Sequence, residues 1–266
     1  MARRTRLDAE LVRRGLARSR EQAAALIAEG RVEVRGVLAG KAAAQVDPAD
    51  PVHVLGESTG DDYVSRGGHK LAGALNAFEA LPVHGRRCLD AGASTGGFTD
   101  VLLRRGAARV AAVDVGYGQI AWSLRTDERV TVIERTNVRT LTPEQIDGPA
   151  DLTVADLSFI SLRLVLAALA ACTAPDGDLV PMVKPQFEVG RERVGEGGVV
   201  RDPALRAEAV LDVAAAAAQL GLGVAGVTVS PLPGPSGNVE FFLWLRRDAP
   251  PVSPDAVYAV ASLGVS

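Results

Sequence analysis

The sequence predicts an α/β chain whose larger part is an open, doubly wound sheet of seven strands with the last strand antiparallel, preceded by a small α+β unit. Three observations carry that expectation. Short apolar runs alternate with helical patterns through most of the chain. The last two runs are joined by residues 230–239, which are rich in Pro and Gly and hold no helical pattern, so the final strand returns antiparallel. Positive charge gathers at the start: residues 1–41 contain ten Lys/Arg and five acids, a balance of +5, against −8 for the remainder.

The first elements are two short helices. Leu7, Leu11, Val12, Leu16, Ala23, Leu26 and Ile27 recur at helical spacing, interrupted at Gly15 and restarted by Ser19, a fitting N-cap with Gln22 three residues on. Residues 31–37 alternate as a strand does, Gly36 marks a turn, and residues 48–55 supply a further turn and strand. Small polar residues 56–62 read as a linker or exposed turn. The division expected is a head over 1–58, a linker over 59–65 and a body over 66–266. In the body the strand runs are 87–91, 110–115, 130–133, 152–155, 179–183, 224–229 and 240–245.

Composition excludes several classes. With 47% hydrophobic and 23% charged residues in 266, the chain is globular and needs no staples. Cys88 and Cys172 lie far apart in apolar stretches, which reads as two buried thiols in a reducing cytosol and no cysteine metal site. His53, His69 and His84 are too scattered for a metal, so none is expected. The opening residues are polar and basic, unlike a secretion signal, and no apolar run reaches the roughly 20 residues of a spanning helix. A cytoplasmic monomer follows. The basic head suits a polyanion, with a solvated helix face as the lesser alternative on charge alone. Only Lys41, Lys70 and Lys184 are lysine among 29 cationic residues, which marks them as places where guanidinium would fail.

The first strand of the body ends in Asp90-Ala91-Gly92-Ala93-Ser94-Thr95-Gly96-Gly97-Phe98-Thr99-Asp100 and opens a helix, the place where a parallel sheet binds its cofactor. Asp114 closes the second strand one βα unit later, where an acid can hold ribose hydroxyls. The spacing of Gly92, Gly96 and Gly97 matches neither the dinucleotide fingerprint nor the Walker pattern, which favours S-adenosylmethionine over NAD or ATP. Asp90, Gly92, Ser94, Thr95, Gly96, Gly97 and Asp114 form the expected cofactor set. Asn137 and Val138, at the end of the third strand, fit an adenine contact or an ordinary turn equally well.

The head resembles the S-four-type RNA-binding domain through Arg6-Leu7-Asp8, Leu11, Gly15, Ser19-Arg20, Ala23, Ile27, Gly30-Arg31-Val32-Glu33-Val34 and Asp50-Pro51-Val52-His53-Val54. That resemblance implies phosphate contacts for Arg3, Arg4, Arg6, Arg18, Arg20 and Lys41, which would position RNA without reading its bases. The whole chain is similar to the TlyA family. The matching motifs are Tyr63-Val64-Ser65-Arg66-Gly67-Gly68-His69-Lys70-Leu71, the glycine turn, Ala155-Asp156-Leu157-Ser158-Phe159-Ile160-Ser161-Leu162, Val183-Lys184-Pro185-Gln186-Phe187-Glu188, Gly197-Gly198-Val199-Val200-Arg201-Asp202 and Gly234-Pro235-Ser236-Gly237-Asn238-Val239-Glu240-Phe241-Phe242.

The resemblance implies a Rossmann-like, FtsJ-related methyltransferase that modifies ribose 2′-hydroxyls in ribosomal RNA. Cytidines in the small and large subunits are the implied targets, and the family carries the name haemolysin for historical reasons. It also implies a Lys-Asp-Lys-Glu tetrad at Lys70, Asp156, Lys184 and Glu240, and Arg66 joins the expected RNA contacts.

A ribose hydroxyl is a poor nucleophile until it loses its proton, so such an enzyme needs positioning and a base. Lysine, with a reference pKa of about 10.4, serves only if a second cation or desolvation retunes it. Lys184 is the expected base, Asp156 and Glu240 its orienters, and Lys70 a substrate-positioning cation. A plain salt-bridge network is the structural alternative. Phe98, Phe159 and Phe187 flank the expected pocket and could stack on adenine or on a flipped base, or simply pack in the core. With 4% aromatic residues the chain offers no broad stacking platform, so its target must be flipped from structured RNA. A non-catalytic ribosome-assembly factor would need no tetrad, a membrane-active haemolysin would need an amphipathic or spanning segment, and a pseudouridine synthase would lack the glycine turn followed by Asp114.

Overall fold

A computed structural model describes residues 4–17, 19–55 and 63–263. Its head contains β1 (Thr5–Arg6), α1 (Leu7–Arg13), α2 (Arg20–Ala28), β2 (Val32–Val34), β3 (Val37–Leu38), β4 (Gln45–Val46) and β5 (Val52–Val54). Ser19 caps α2, its hydroxyl accepting from the Gln22 amide at 3.1 Å. Arg35 and Gly36, both at positive φ, close the two-residue β2–β3 hairpin, and β2 pairs on its other side with β5. Leu7, Leu11, Ala23, Ile27, Val32, Val46 and Val52 pack as one small core. The pairing of β1 with β4 was not foreseen, because two-residue strands are too short for alternation to show.

The body contains α3 (Arg66–Ala77), β6 (Arg87–Ala91), α4 (Gly97–Arg104), β7 (Arg109–Val113), α5 (Trp122–Arg125), β8 (Val130–Ile133), β9 (Ala150–Ala155), α6 (Leu166–Ala171), β10 (Thr173–Val183), α7 (Pro185–Glu188), α8 (Pro203–Ala218), β11 (Gly223–Val229), β12 (Phe241–Arg246) and α9 (Pro254–Ser262). One seven-stranded sheet runs β11-β12-β10-β9-β6-β7-β8, and β12 lies antiparallel to both its neighbours. All seven expected strands are present, with the antiparallel return where the helix-free segment implied it.

Helices cover both faces, so the central strands are apolar on both sides. Along β12, Phe241, Leu243 and Leu245 enter the layer under α6, α8 and α9, while Phe242 and Trp244 enter the layer under α3 and α4. Cys88 and Cys172 are buried, unbridged thiols, and burial pushes Cys88 up to about 12. Among the described residues no helix is long and apolar enough to cross a membrane.

Among the described residues, head and body touch around 118–122. Arg14 donates to the carbonyls of Asp50 at 2.8 Å and Pro48 at 3.1 Å within the head, and to that of Gly118 at 3.0 Å in the body. Buried His53 lies against the Ile120 backbone, and Gly36 lies against the indole of Trp122, where a Cβ would stand 2.8 Å from Cδ1. The segment so gripped follows directly on Asp114.

Candidate active site

The carboxyl ends of β6, β9 and β10 and the start of α3 surround a cavity of about 320 Å³, lined by Gly67, Lys70, Gly92, Ser94, Thr95, Asp156, Ser158 and Lys184 among others. Parallel strands deliver Asp156 and Lys184 because each is the first residue past its strand, and β9 and β10 are neighbours. Lys184 Nζ lies 2.6 Å from Asp156 Oδ1 and donates to Ser158 Oγ at 2.9 Å. Across the cavity Lys70, on α3, donates to Glu240 Oε2 at 2.5 Å, with Glu240 fully buried immediately before β12. All four tetrad residues thus gather here as two lysine–carboxylate pairs. The partition differs from the expected one: Glu240 pairs with Lys70, and Lys184 is oriented by Asp156 and by Ser158, a residue quoted only as part of a motif. Proximity to Lys184 becomes visible only once β9 and β10 are set side by side.

The glycine turn is shaped by close approach. Gly92, at φ +87°, leaves no room for a side chain, since a Cβ would stand 2.4 Å from the Asp156 carbonyl oxygen. Gly96, at φ +96°, caps α4, and Gly97 packs against the start of α3, where a Cβ would stand 2.7 Å from the Gly68 nitrogen. Asp114 accepts from the Ser94 amide at 2.8 Å and the Gly116 amide at 2.6 Å, so its carboxylate ties the β6 and β7 loops together. Thr95 accepts on its carbonyl from Ala121 N at 3.0 Å, which joins the turn to the segment held by the head.

Beneath the turn, Asp90 is fully buried and accepts from Thr99 Oγ1 at 2.7 Å through one oxygen, while the other has no partner. Burial, aided by the nearby charges of Asp156 and Asp114, pushes its carboxyl up to about 7. Asn137 is exposed, its side chain accepting from the Arg139 amide at 3.0 Å in a short 3₁₀ turn, and Val138 is buried beside it; neither lines the cavity.

The expected RNA contacts divide. Arg3 and Arg18 lie outside the described residues. Arg4, Lys41 and Arg66 are exposed, and Arg66 also lines the cavity. Arg6 and Arg20 both engage the buried Asp8, Arg6 through two bonds of 3.0 and 2.9 Å and Arg20 at 2.9 Å. Those guanidiniums hold the Asp8 carboxyl well below the usual range. Phe98 lines the cavity from α4. Phe159 is 92% exposed and stands 5.4 Å from the Phe187 ring, centroid to centroid. His69 meets Tyr63 edge-on at 5.2 Å. No cluster of His, Cys, Asp and Glu that could hold a metal occurs among the described residues.

Residues 63–247 match the FtsJ-like methyltransferase family and residues 5–52 match the S4 domain. The TlyA protein of Mycobacterium tuberculosis, named a 16S/23S rRNA (cytidine-2′-O)-methyltransferase, is 65% identical over 246 residues, 92% of this chain and 91% of that one. The chain belongs to the TlyA family of FtsJ-like methyltransferases. Its relative YqxC of Bacillus subtilis is 45% identical over 91% of this chain and 85% of its own. A solved structure from Streptococcus thermophilus that carries the haemolysin name superposes with a TM-score of 0.76 at 39% identity, covering 99% of this chain and 96% of that one. Three of the four charged residues, Lys70, Asp156 and Lys184, line the cavity at the glycine turn, and Glu240 stands behind Lys70.

Proposed function

We propose that this chain transfers a methyl group from S-adenosylmethionine to the ribose 2′-hydroxyl of a cytidine in ribosomal RNA. The observation that supports this reading most is the convergence of Lys70–Glu240 and Lys184–Asp156 on one cavity beside the glycine turn. The turn suits such a ligand: Gly92, Ser94, Thr95 and Gly97 line the cavity, the two glycines let the turn sit close against Asp156 and the start of α3, and Asp114 braces it from the β7 side. Gly92, Ser94, Thr95 and Gly97, which line the cavity, would hold the cofactor together with Asp90, Gly96 and Asp114 around them; Asn137 and Val138 do not line it. When bound, S-adenosylmethionine supplies an activated sulfonium methyl.

The residues of the chain do the rest. Lys184 takes the 2′-hydroxyl proton onto its amine, which frees the oxygen to accept the methyl that the cofactor would supply as its own bond to sulfur breaks. Asp156 and Ser158 point the amine. Lys70, held by Glu240, places the ribose and its neighbouring phosphate. General-base assistance of this kind is typically worth about 10²–10⁴ in rate.

The head, over residues 1–58, docks the RNA through Arg4, Arg6, Arg20 and Lys41, with Arg3 and Arg18, while Arg66 adds a contact at the cavity mouth. Residues 59–65 link it to a methyl-transferring body over 66–266. Such a protein works in the cytoplasm, on ribosomal subunits, as a monomer. Ribose-methylation mapping of ribosomes from cells with the active gene and with a Lys184→Ala gene tests the reading; a cytidine methylated only in the former is expected, and identical maps would overturn it. Asp114→Ala should weaken S-adenosylmethionine binding about tenfold and leave RNA affinity nearly intact. Calorimetry giving unchanged cofactor affinity removes Asp114 from that role.

A further inference from the structure

A second cavity, of about 560 Å³, is lined by Phe159, Phe187 and Gln186. It shares the exits of β9 and β10 with the first: Phe159 follows Ser158, and Gln186 lies two residues beyond Lys184. Two features here have unmet demands. Phe159 holds its ring in solvent on a left-handed backbone, φ +64°, a conformation that costs a non-glycine residue about 1–2 kcal/mol. Gln186 Oε1 is buried and accepts no hydrogen bond. A buried acceptor left without a donor forfeits about 1–3 kcal/mol. The cavity therefore suits a flat apolar partner that also carries a donor on its edge, which the Gln186 amide, part of the cavity wall, meets by turning its closed-off Oε1 outward.

We propose that Gln186 is the residue that selects the target base, its Oε1 accepting a hydrogen bond from the exocyclic amino group of cytosine. This rests on the reading of the protein as a ribose methyltransferase. A flipped cytosine lying against Phe159 satisfies both demands at once, and its N4 amine is the group that carbonyl and carboxylate oxygens read. Uracil turns its O4 acceptor to the same place, so two acceptors oppose each other. A site built around one hydrogen bond rejects the analogue that lacks it more strongly than an apolar pocket rejects a shape.

The test uses the full chain, S-adenosylmethionine and ribosomal subunits lacking ribose methylation, with the modified position first located using the unaltered protein. Subunits carrying cytidine or uridine at that position are then compared. The unaltered protein should prefer cytidine by at least tenfold in kcat/KM. Gln186→Leu should lower kcat/KM on cytidine about 10–100-fold and bring the cytidine-to-uridine ratio towards one, with cofactor affinity and thermal midpoint unchanged. Gln186→Glu, which keeps an acceptor at the same reach, should restore cytidine methylation to within a few-fold.

A ratio that survives Gln186→Leu overturns the proposal, as does loss of cytidine methylation in Gln186→Glu, which would mean that the amide nitrogen does the reading. Should the unaltered protein methylate no ribose in either substrate, the parent reading fails instead, and the two failures are told apart by that control.

Discussion

Lys184 and Lys70 sit in matched pairs but have different tasks in the proposed function, and arginine separates them. Lys184→Arg retains charge and reach while installing a group that stays protonated at any workable pH. Methyl transfer should fall by about 10²–10⁴ with little change in cofactor or RNA affinity. Lys70→Arg should be partly tolerated, because a clamp needs only its charge. Turnover on saturating RNA, followed across a pH series for both variants, decides; near-normal turnover by Lys184→Arg would leave positioning alone as the source of rate.

Asp90 offers a second test at this scale. Its carboxyl is pushed up to about 7 by burial, so between the ordinary carboxylate range and about pH 7 the folded chain holds a proton that the unfolded chain has lost. Stability must therefore fall as pH rises through that window, by at most about 1.4 kcal/mol per pH unit from this group. Asp90→Asn should remove that slope. Urea unfolding at pH 5 and pH 7 measures it, and equal slopes in the two proteins would show that Asp90 ionises at its ordinary pH. That Lys70, Asp156, Lys184 and Glu240 would come together was expected from the family resemblance, and the scarcity of lysine and the positions of the motifs at strand ends agreed with it. The orphaned oxygens of Asp90 and Gln186 were not, since a missing partner is a property of packing.

At the scale of elements, the β6–α4 turn carries a constraint that one methyl group should expose. Gly92→Ala would place a Cβ 2.4 Å from the Asp156 carbonyl oxygen, on a backbone at φ +87°. The strain alone costs about 1–2 kcal/mol. Displacement of Asp156 should also disturb the direction of Lys184, so calorimetry and turnover should both suffer while the thermal midpoint drops by several degrees; a variant that loses stability but keeps both functions would uncouple turn from tetrad.

The seven body strands were legible because each has four or more residues with neighbours of the same kind, and the helix-free stretch before β12 dictated its direction. β1 and β4 were not, at two residues each. Nor did the motifs say that Glu240 would choose Lys70: that pairing depends on β12 lying between β10 and β11, which no local pattern encodes.

Over the whole molecule, the head meets the body on the segment just past Asp114, through Arg14, His53 and the Gly36–Trp122 contact. Removing residues 1–55 should leave a folded body, since its two apolar layers draw no residue from the head. Cofactor affinity should stay within a few-fold, whereas methylation of ribosomal RNA should fall by at least about 100-fold, and the salt dependence of RNA binding should flatten as phosphate contacts are lost. A truncated chain that modifies ribosomal RNA at full rate would give the head some other task.

The docked Arg14 has a consequence for target choice. With its guanidinium bridging three carbonyls on both sides of the junction, it would, on the proposed function, set the span between the head's arginines and the Lys184 amine. The protein would then act as a caliper, finding its nucleotide by displacement across folded RNA as much as by the base itself. Lengthening the RNA helix between grip and target by one base pair should carry the target out of reach even though every contacted group is still present.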